Sequence, residues 1–352
     1  RIEAEAGISF QNRTGDAVSE YLFNLNPGLN VERITGGGRE LPFKRNYHLI
    51  TVTPPSPLLP RERDSLTITY SGSIDESACY PGIEPDKIRE EYRITFFCVK
   101  KRYAFIEDRY LLLTPEAHWY PESGPGYRWD KPAYGNTDFR NFELDINTSP
   151  SLSVVSQGKV NGENGRFRVR PGVPLPGLTV TAGKYITRSI EVDSLQLSLH
   201  TMEGHDYFLE YFDQLGDTLG DIIMEEKGEY ESKVGFSYPY PELKLVEVPI
   251  SFFSYDRIST MGFETVQPEM VLLPEMGLNL QGADFRRRAW FQKRRDERRN
   301  QTTPGIEKQA DNLSSFITEA LTGELTPPEF RRRASAEVSY NLFPCYYTHV
   351  NH

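Results

Sequence analysis

An α+β fold is predicted for this 352-residue chain, with an antiparallel β domain first and a mixed α/β domain after it. Three observations lead there. Apolar residues alternate with polar ones in short runs through the first two hundred residues, the period-two signature of half-buried antiparallel strands. The 27 Gly and 25 Pro are spread along the chain, as many short strands joined by tight turns require. Near residue 204 the period lengthens to three- and four-residue steps, which is helical.

The strands come in order. Ile2, Ala4, Ile8 and Phe10 alternate with polar neighbours, followed by Tyr21, Phe23 and Leu25, then by Leu49 and Thr51 with theirs, then by Leu66, Ile68 and Tyr70. Gly36-Gly37-Gly38, followed by Arg39-Glu40 and a strand, reads as a turn rather than a phosphate loop. Phe142, Leu144 and Ile146 form a further run, as do Phe167 and Val169, and Asn161-Gly162 and Asn164-Gly165 before the latter mark a hairpin connection. Phe208, Tyr211, Phe212, Leu215, Leu219, Ile222 and Ile223 then make one apolar stripe, predicting a helix over 205–227. A strand with Leu243, Leu245, Val246 and Val248 is closed by Pro249. Helix returns after residue 285, with start signals at Thr303-Pro304 and at Thr326-Pro327-Pro328-Glu329, where a Thr-x-x-Glu capping box coincides with Pro in the first turn, and with Gly323 as a stop. The domain boundary is therefore expected near residue 200, giving domains 1–200 and 201–352.

Composition narrows the function. With 50 Asp+Glu against 40 Lys+Arg the net charge is −10, so a phosphate backbone would repel the chain and nucleic acid is not an expected partner. No apolar run approaches the ~18 residues that span a bilayer. The chain opens on Arg1 almost inside a strand, and is expected to be a piece of something longer with any signal or membrane segment elsewhere. Of the three cysteines, Cys79 and Cys98 either pair in an oxidising envelope or remain buried thiols together with Cys345.

Few residues carry recognisable chemistry. The six histidines are His48, His118, His200, His205, His349 and His352, and none forms the His-Glu-x-x-His that puts two zinc-binding imidazoles on one helical face. Gly-x-Ser-x-Gly, Cys-x-x-Cys and a phosphate-cradling glycine loop are all missing. Arg286 to Arg299 holds eight basic residues with Trp290 and Phe291 among them, which reads as the solvated face of a helix. The weaker alternative is contact with an anionic membrane surface.

Several stretches, in order, resemble the zinc aminopeptidase family that also contains leukotriene hydrolase. Leu22-Phe23-Asn24-Leu25-Asn26-Pro27-Gly28-Leu29 and Leu66-Thr67-Ile68-Thr69-Tyr70-Ser71-Gly72 are similar to opening strands of its saddle-shaped N-terminal β domain. Ser156-Gln157-Gly158 and Ala182-Gly183-Lys184-Tyr185 resemble that domain's last third, and Tyr238-Pro239-Tyr240-Pro241 with Leu243 to Pro249 resembles the first strand region of the thermolysin-like catalytic domain. Leu112-Leu113-Thr114-Pro115 and Trp119-Tyr120-Pro121 look closer to a bacterial branch in which such a domain is fused to an ABC-type transporter permease.

The resemblance implies a degenerate site. The family's Gly-x-Met-Glu-Asn loop, which holds the substrate amine, would fall at Asp256-Arg257-Ile258, where its Glu is missing, and a longer loop leaves Glu264 as a partial remnant. The zinc motif and its third ligand align with Asp296-Glu297-Arg298-Arg299-Asn300 and Glu319. In that register Asp296 and Asn300 replace both imidazoles while Glu297 and Glu319 keep their carboxylates. Carboxylates with an amide favour hard cations over zinc, and Arg298 and Arg299 add positive charge where a cation would sit. Glu319 is accordingly expected within salt-bridge reach of an arginine from the 286–299 segment, since a buried carboxylate without a metal needs a partner. Glu264, Asp296, Glu297, Asn300 and Glu319 are thus relic positions, with no catalytic residue, no metal and no cofactor implied. The expected protein is a non-catalytic, extracytoplasmic binding or scaffold domain of an envelope membrane protein, on the periplasmic side of a bacterial membrane. Its partners would be a peptide or protein and the membrane-embedded portion of the same polypeptide. The alternative is a zinc-dependent aminopeptidase fragment whose metal site is completed by residues not in this chain.

Overall fold

The computed structural model of the chain describes residues 1–79, 102–124, 138–205, 235–253 and 266–275, together with residues 221, 224, 227, 228, 231–233 and 294. Packing divides the chain into two compact units, Arg1–Asn136 and Thr137–His352. Residue 200, near which the domain boundary is expected, lies inside a strand of the second unit.

The described strands of the first unit pair with one another antiparallel. Its strands are β1 (Ile2–Gln11), β2 (Tyr21–Asn24), β3 (Leu29–Gly36), β4 (Arg39–Glu40), β5 (Phe43–Asn46), β6 (Leu49–Val52), β7 (Arg63–Gly72), β8 (Ala104–Ile106), β9 (Leu111–Leu113) and β10 (Glu122–Ser123). Two four-stranded sheets, in the orders β1-β7-β3-β4 and β10-β2-β6-β5, enclose one core. The alternation fixes which residues fill it. Tyr21, Phe23 and Leu25 meet Ile50 and Val52 from one sheet and Leu66, Ile68, Tyr70 and Ile34 from the other, all buried. Arg45 reaches under this core and donates to the main-chain carbonyls of Leu29, Leu25 and Asn26, so the turn between β2 and β3 is held by a guanidinium. Gly37 and Gly38 make the β3–β4 turn, as the sequence predicts.

The second unit holds β11 (Leu144–Asn147), β12 (Ser153–Ser156), β13 (Lys159–Glu163), β14 (Arg166–Arg170), β15 (Val180–Gly183), β16 (Tyr185–Val192), β17 (Leu195–Met202), β18 (Glu242–Val248), β19 (Val266–Gln267) and β20 (Met270–Pro274). A small antiparallel sheet β11-β14-β13 turns at Asn164-Gly165, whose φ angles of 54° and 80° are the left-handed pair that an Asn-Gly hairpin supplies. Asn161-Gly162, expected to share in that connection, lies within β13, opposite Arg168 and Phe167. β12 and β15 pair antiparallel.

The five-stranded sheet β16-β17-β18-β20-β19 is mixed. β18 runs parallel to both neighbours, β17 and β20, so it sits at the centre of the sheet and is buried along its length after Glu242. Residues 221, 224, 227, 228 and 231–233 are helical, which carries helical structure past the predicted end at 227. No helix among the described residues is long and apolar enough to cross a membrane.

Candidate functional site

The most concentrated polar chemistry is a buried layer in the second unit, and β-strand alternation builds it. Ser198 and His200 on β17, Lys244 on β18 and Gln267 on β19 point to one face of the mixed sheet, because register places Ser198 beside Lys244 and His200 beside Val246. Ser156, Gln157, Thr179 and Thr181, from β12, β15 and their flanks, are fully buried. They form the other wall.

Lys244 is the cation of the layer, only 8% exposed. Its Nζ donates to the carbonyl of Ser156 at 2.8 Å and to that of Gly158, and pairs with Glu242 at 2.6 Å. Glu269, 1% exposed, accepts the Gly158 N–H. Gly158 is therefore gripped at both of its main-chain polar groups. Its φ of +71° and the 2.2 Å that would separate an added Cβ from Pro171 Cα leave room for glycine alone. Gln157 donates to Gln267 at 2.8 Å and accepts the Thr179 N–H at 2.8 Å, while Thr179 Oγ1 also donates to Gln267. One donor in the layer, Gln267 Nε2, is buried without a partner.

Electrostatics follow from burial. Desolvation pushes the Glu269 carboxyl above the usual carboxylate range, opposed by the Gly158 N–H and by the Lys244 charge. His200 goes the other way. Burial first, and the Lys244 charge second, lower it from 6.5 to about 4, so the ring is neutral near pH 7. Its two nitrogens contact Thr187 Oγ1 and Ser198 Oγ, each at 2.9 Å. On the opposite face of the sheet, Glu247 accepts the Met202 N–H at 2.6 Å and lies 2.9 Å from His205 Nδ1.

His200 and His205 thus sit on separate polar networks rather than converging as ligands. In the first unit His118, in a left-handed turn, brings Nδ1 within 3.0 Å of both Asn24 and Glu122. Among the described residues no three His, Cys, Asp or Glu side chains gather into a group that could hold a metal ion. Glu264, Asp296, Glu297, Asn300 and Glu319 lie outside the described residues, as do Cys98 and Cys345. Cys79 is buried, its Sγ 3.8 Å from the Asp75 carbonyl.

No protein-family model and no curated protein matches this sequence. Its solved structural neighbours are M1 zinc metallopeptidases. The enzyme from Deinococcus radiodurans is 14% identical, with 79% of this chain and 58% of that one covered at a TM-score of 0.48. A variant of it bound to a Tyr-Ser-Ala substrate is 16% identical, covering 69% and 52% at a TM-score of 0.47. A two-domain M1 variant bound to L-tryptophan is 15% identical, covering 70% and 52% at 0.45. This chain spans little more than half the length of these structures.

Reading the sequence alone misses Lys244, Gln267 and Glu269 as members of a polar layer. The available signal was the run from Leu243 to Val248, apolar except for Lys244 and Glu247. A strand apolar on both faces lies between two covering layers, so charged residues within it must be buried and paired.

Proposed function

We propose that the chain is a non-catalytic binding or scaffold domain of an envelope membrane protein, a transporter permease by the sequence resemblance. In this reading it lies on the extracytoplasmic face of a bacterial membrane, is tethered through other parts of the same polypeptide, and recognises a peptide or partner protein. The β half, to about residue 200, is followed by a degenerate, peptidase-like half that carries neither zinc nor another cofactor. One observation supports the non-catalytic part above the rest: the two charges of the buried layer, Lys244 and Glu269, are spent on main chain and on Glu242. Lys244 is held by two carbonyls and Glu242, and Glu269 by the Gly158 N–H, so the charges tie two β layers together. A reacting group needs a face turned toward substrate, and neither charge has one to spare.

Cell fractionation of the intact gene product tests the localisation. The protein should stay with the membrane through alkaline carbonate washing, and this domain should be digested by protease added to spheroplasts. Recovery in the soluble cytosolic fraction, with the domain protected in spheroplasts, would overturn the assignment.

A further inference from the structure

The first sheet ends on an edge strand unlike the others. β1 pairs with β7 over ten consecutive residues, Ile2↔Gly72 to Gln11↔Arg63, without a bulge, and contains neither Pro nor Lys. Bulges, Pro and Lys are devices that blunt a sheet edge, and of the charged kind β1 keeps only Glu3 and Glu5. Its only strand partner among the described residues is β7, so no described strand takes up the main-chain groups of its outer side. The strand's two rows are sharply sorted. Ile2, Ala4, Ala6, Ile8 and Phe10 are half-buried against the rim of the core, and Glu3, Glu5, Gly7, Ser9 and Gln11 are exposed.

We infer that β1 is a self-association edge, on which the β1 strand of a second copy of this chain pairs antiparallel about a two-fold axis at Ala6. Two features of the strand select that occupant. An antiparallel pair centred on Ala6 puts Ile2 opposite Phe10 and Ala4 opposite Ile8, so every apolar residue of one copy meets an apolar residue of the other and the apolar rows merge under a continuous eight-stranded sheet. The same register puts Glu3 opposite Ser9 and Glu5 opposite Gly7, so no carboxylate faces another across the seam. Shifting the two-fold to the level of Ala4 would set Glu3 opposite Glu5 and lose that charge pattern. A two-fold contact of this kind is isologous and closes at a dimer.

Sedimentation velocity of the full chain over a roughly hundredfold range of concentration tests this directly. Wild type should pass from monomer to dimer as concentration rises. Ser9→Glu places a carboxylate opposite Glu3 twice per dimer and should weaken the dimer about tenfold, by the ordinary cost of like charges directly across a strand pair. Combining it with Glu3→Lys turns both contacts into opposite-charge pairs and should restore association to wild-type strength or better. Within its own sheet Ser9 faces Ser65 and Glu3 faces Ser71, so neither change should move the unfolding midpoint. A chain that stays monomeric throughout overturns the inference. So does a dimer indifferent to Ser9→Glu, or one that the Glu3→Lys/Ser9→Glu pair fails to restore.

Discussion

Replacing Lys244 by alanine is expected to cost about 3–5 kcal/mol of unfolding free energy, the range seen when one member of a buried charge network is removed. The loss comes from what stays behind. The carbonyls of Ser156 and Gly158 lose their donor inside a layer sealed from water, and the Glu242 carboxylate loses its 2.6 Å partner. Glu269, already disfavoured as an anion by burial, also loses the one cation whose field lowers it. Lys244→Met, which keeps most of the stem's packing, should recover little, because the missing element is the donor rather than the volume. Denaturant titration reads both variants. A change below about 1 kcal/mol would mean that the ammonium is not bearing these contacts in solution. The pair between Arg168 and Asp145, on the fully exposed face of β11 and β14, supplies the internal contrast, and its removal should leave the denaturant midpoint where it was.

The second large effect is a pH dependence with a definite sign. His200 titrates at about 4 in the fold against an ordinary 6.5, so the unfolded chain takes up this proton first. Where the unfolded state binds more protons, stability rises with pH. His200 therefore leaves stability unaffected above about 6.5 and erodes it progressively as pH falls from there to about 4, by roughly 3 kcal/mol in all. His200→Gln retains hydrogen-bonding capacity toward Thr187 and Ser198 but has nothing to titrate. Its stability profile between pH 7 and 4 should be flatter than wild type by about that amount, whatever its absolute stability. Parallel profiles would show that the ring is protonated or solvated in the native state.

Local rules made the first unit legible. Leu66, Ile68 and Tyr70 alternate because one face of β7 meets the core, and in the second unit Asn164-Gly165 turns because those two residues accept the left-handed conformation at little cost. The apolar stripe from Phe208 to Ile223 lies outside the described residues, and helical structure is described at 221, 224, 227, 228 and 231–233. Less visible was the company β18 keeps. Its partners lie some forty residues before it in β17 and twenty-odd after it in β20, and parallel pairing leaves no mark on local periodicity. Lys244 and Glu247 likewise look like ordinary solvated positions until both faces of their strand are known to be covered. Burial is a property of the tertiary structure, and it is burial that turns Lys244 from a surface charge into a tie between layers.

Metal content and hydrolysis, measured on the same preparation, test the non-catalytic account most directly. In the register that the family resemblance implies, the carboxylates of Asp296, Glu297 and Glu319 with the Asn300 amide would not hold Zn²⁺ or lower its bound water to the ~7 that a peptidase needs. The chain, purified in zinc-replete buffer and desalted, should carry no stoichiometric zinc by elemental analysis and release no product from aminoacyl reporter peptides. About one zinc per chain, together with hydrolysis that a chelator abolishes and zinc restores, would contradict the account and return the chain to the aminopeptidases.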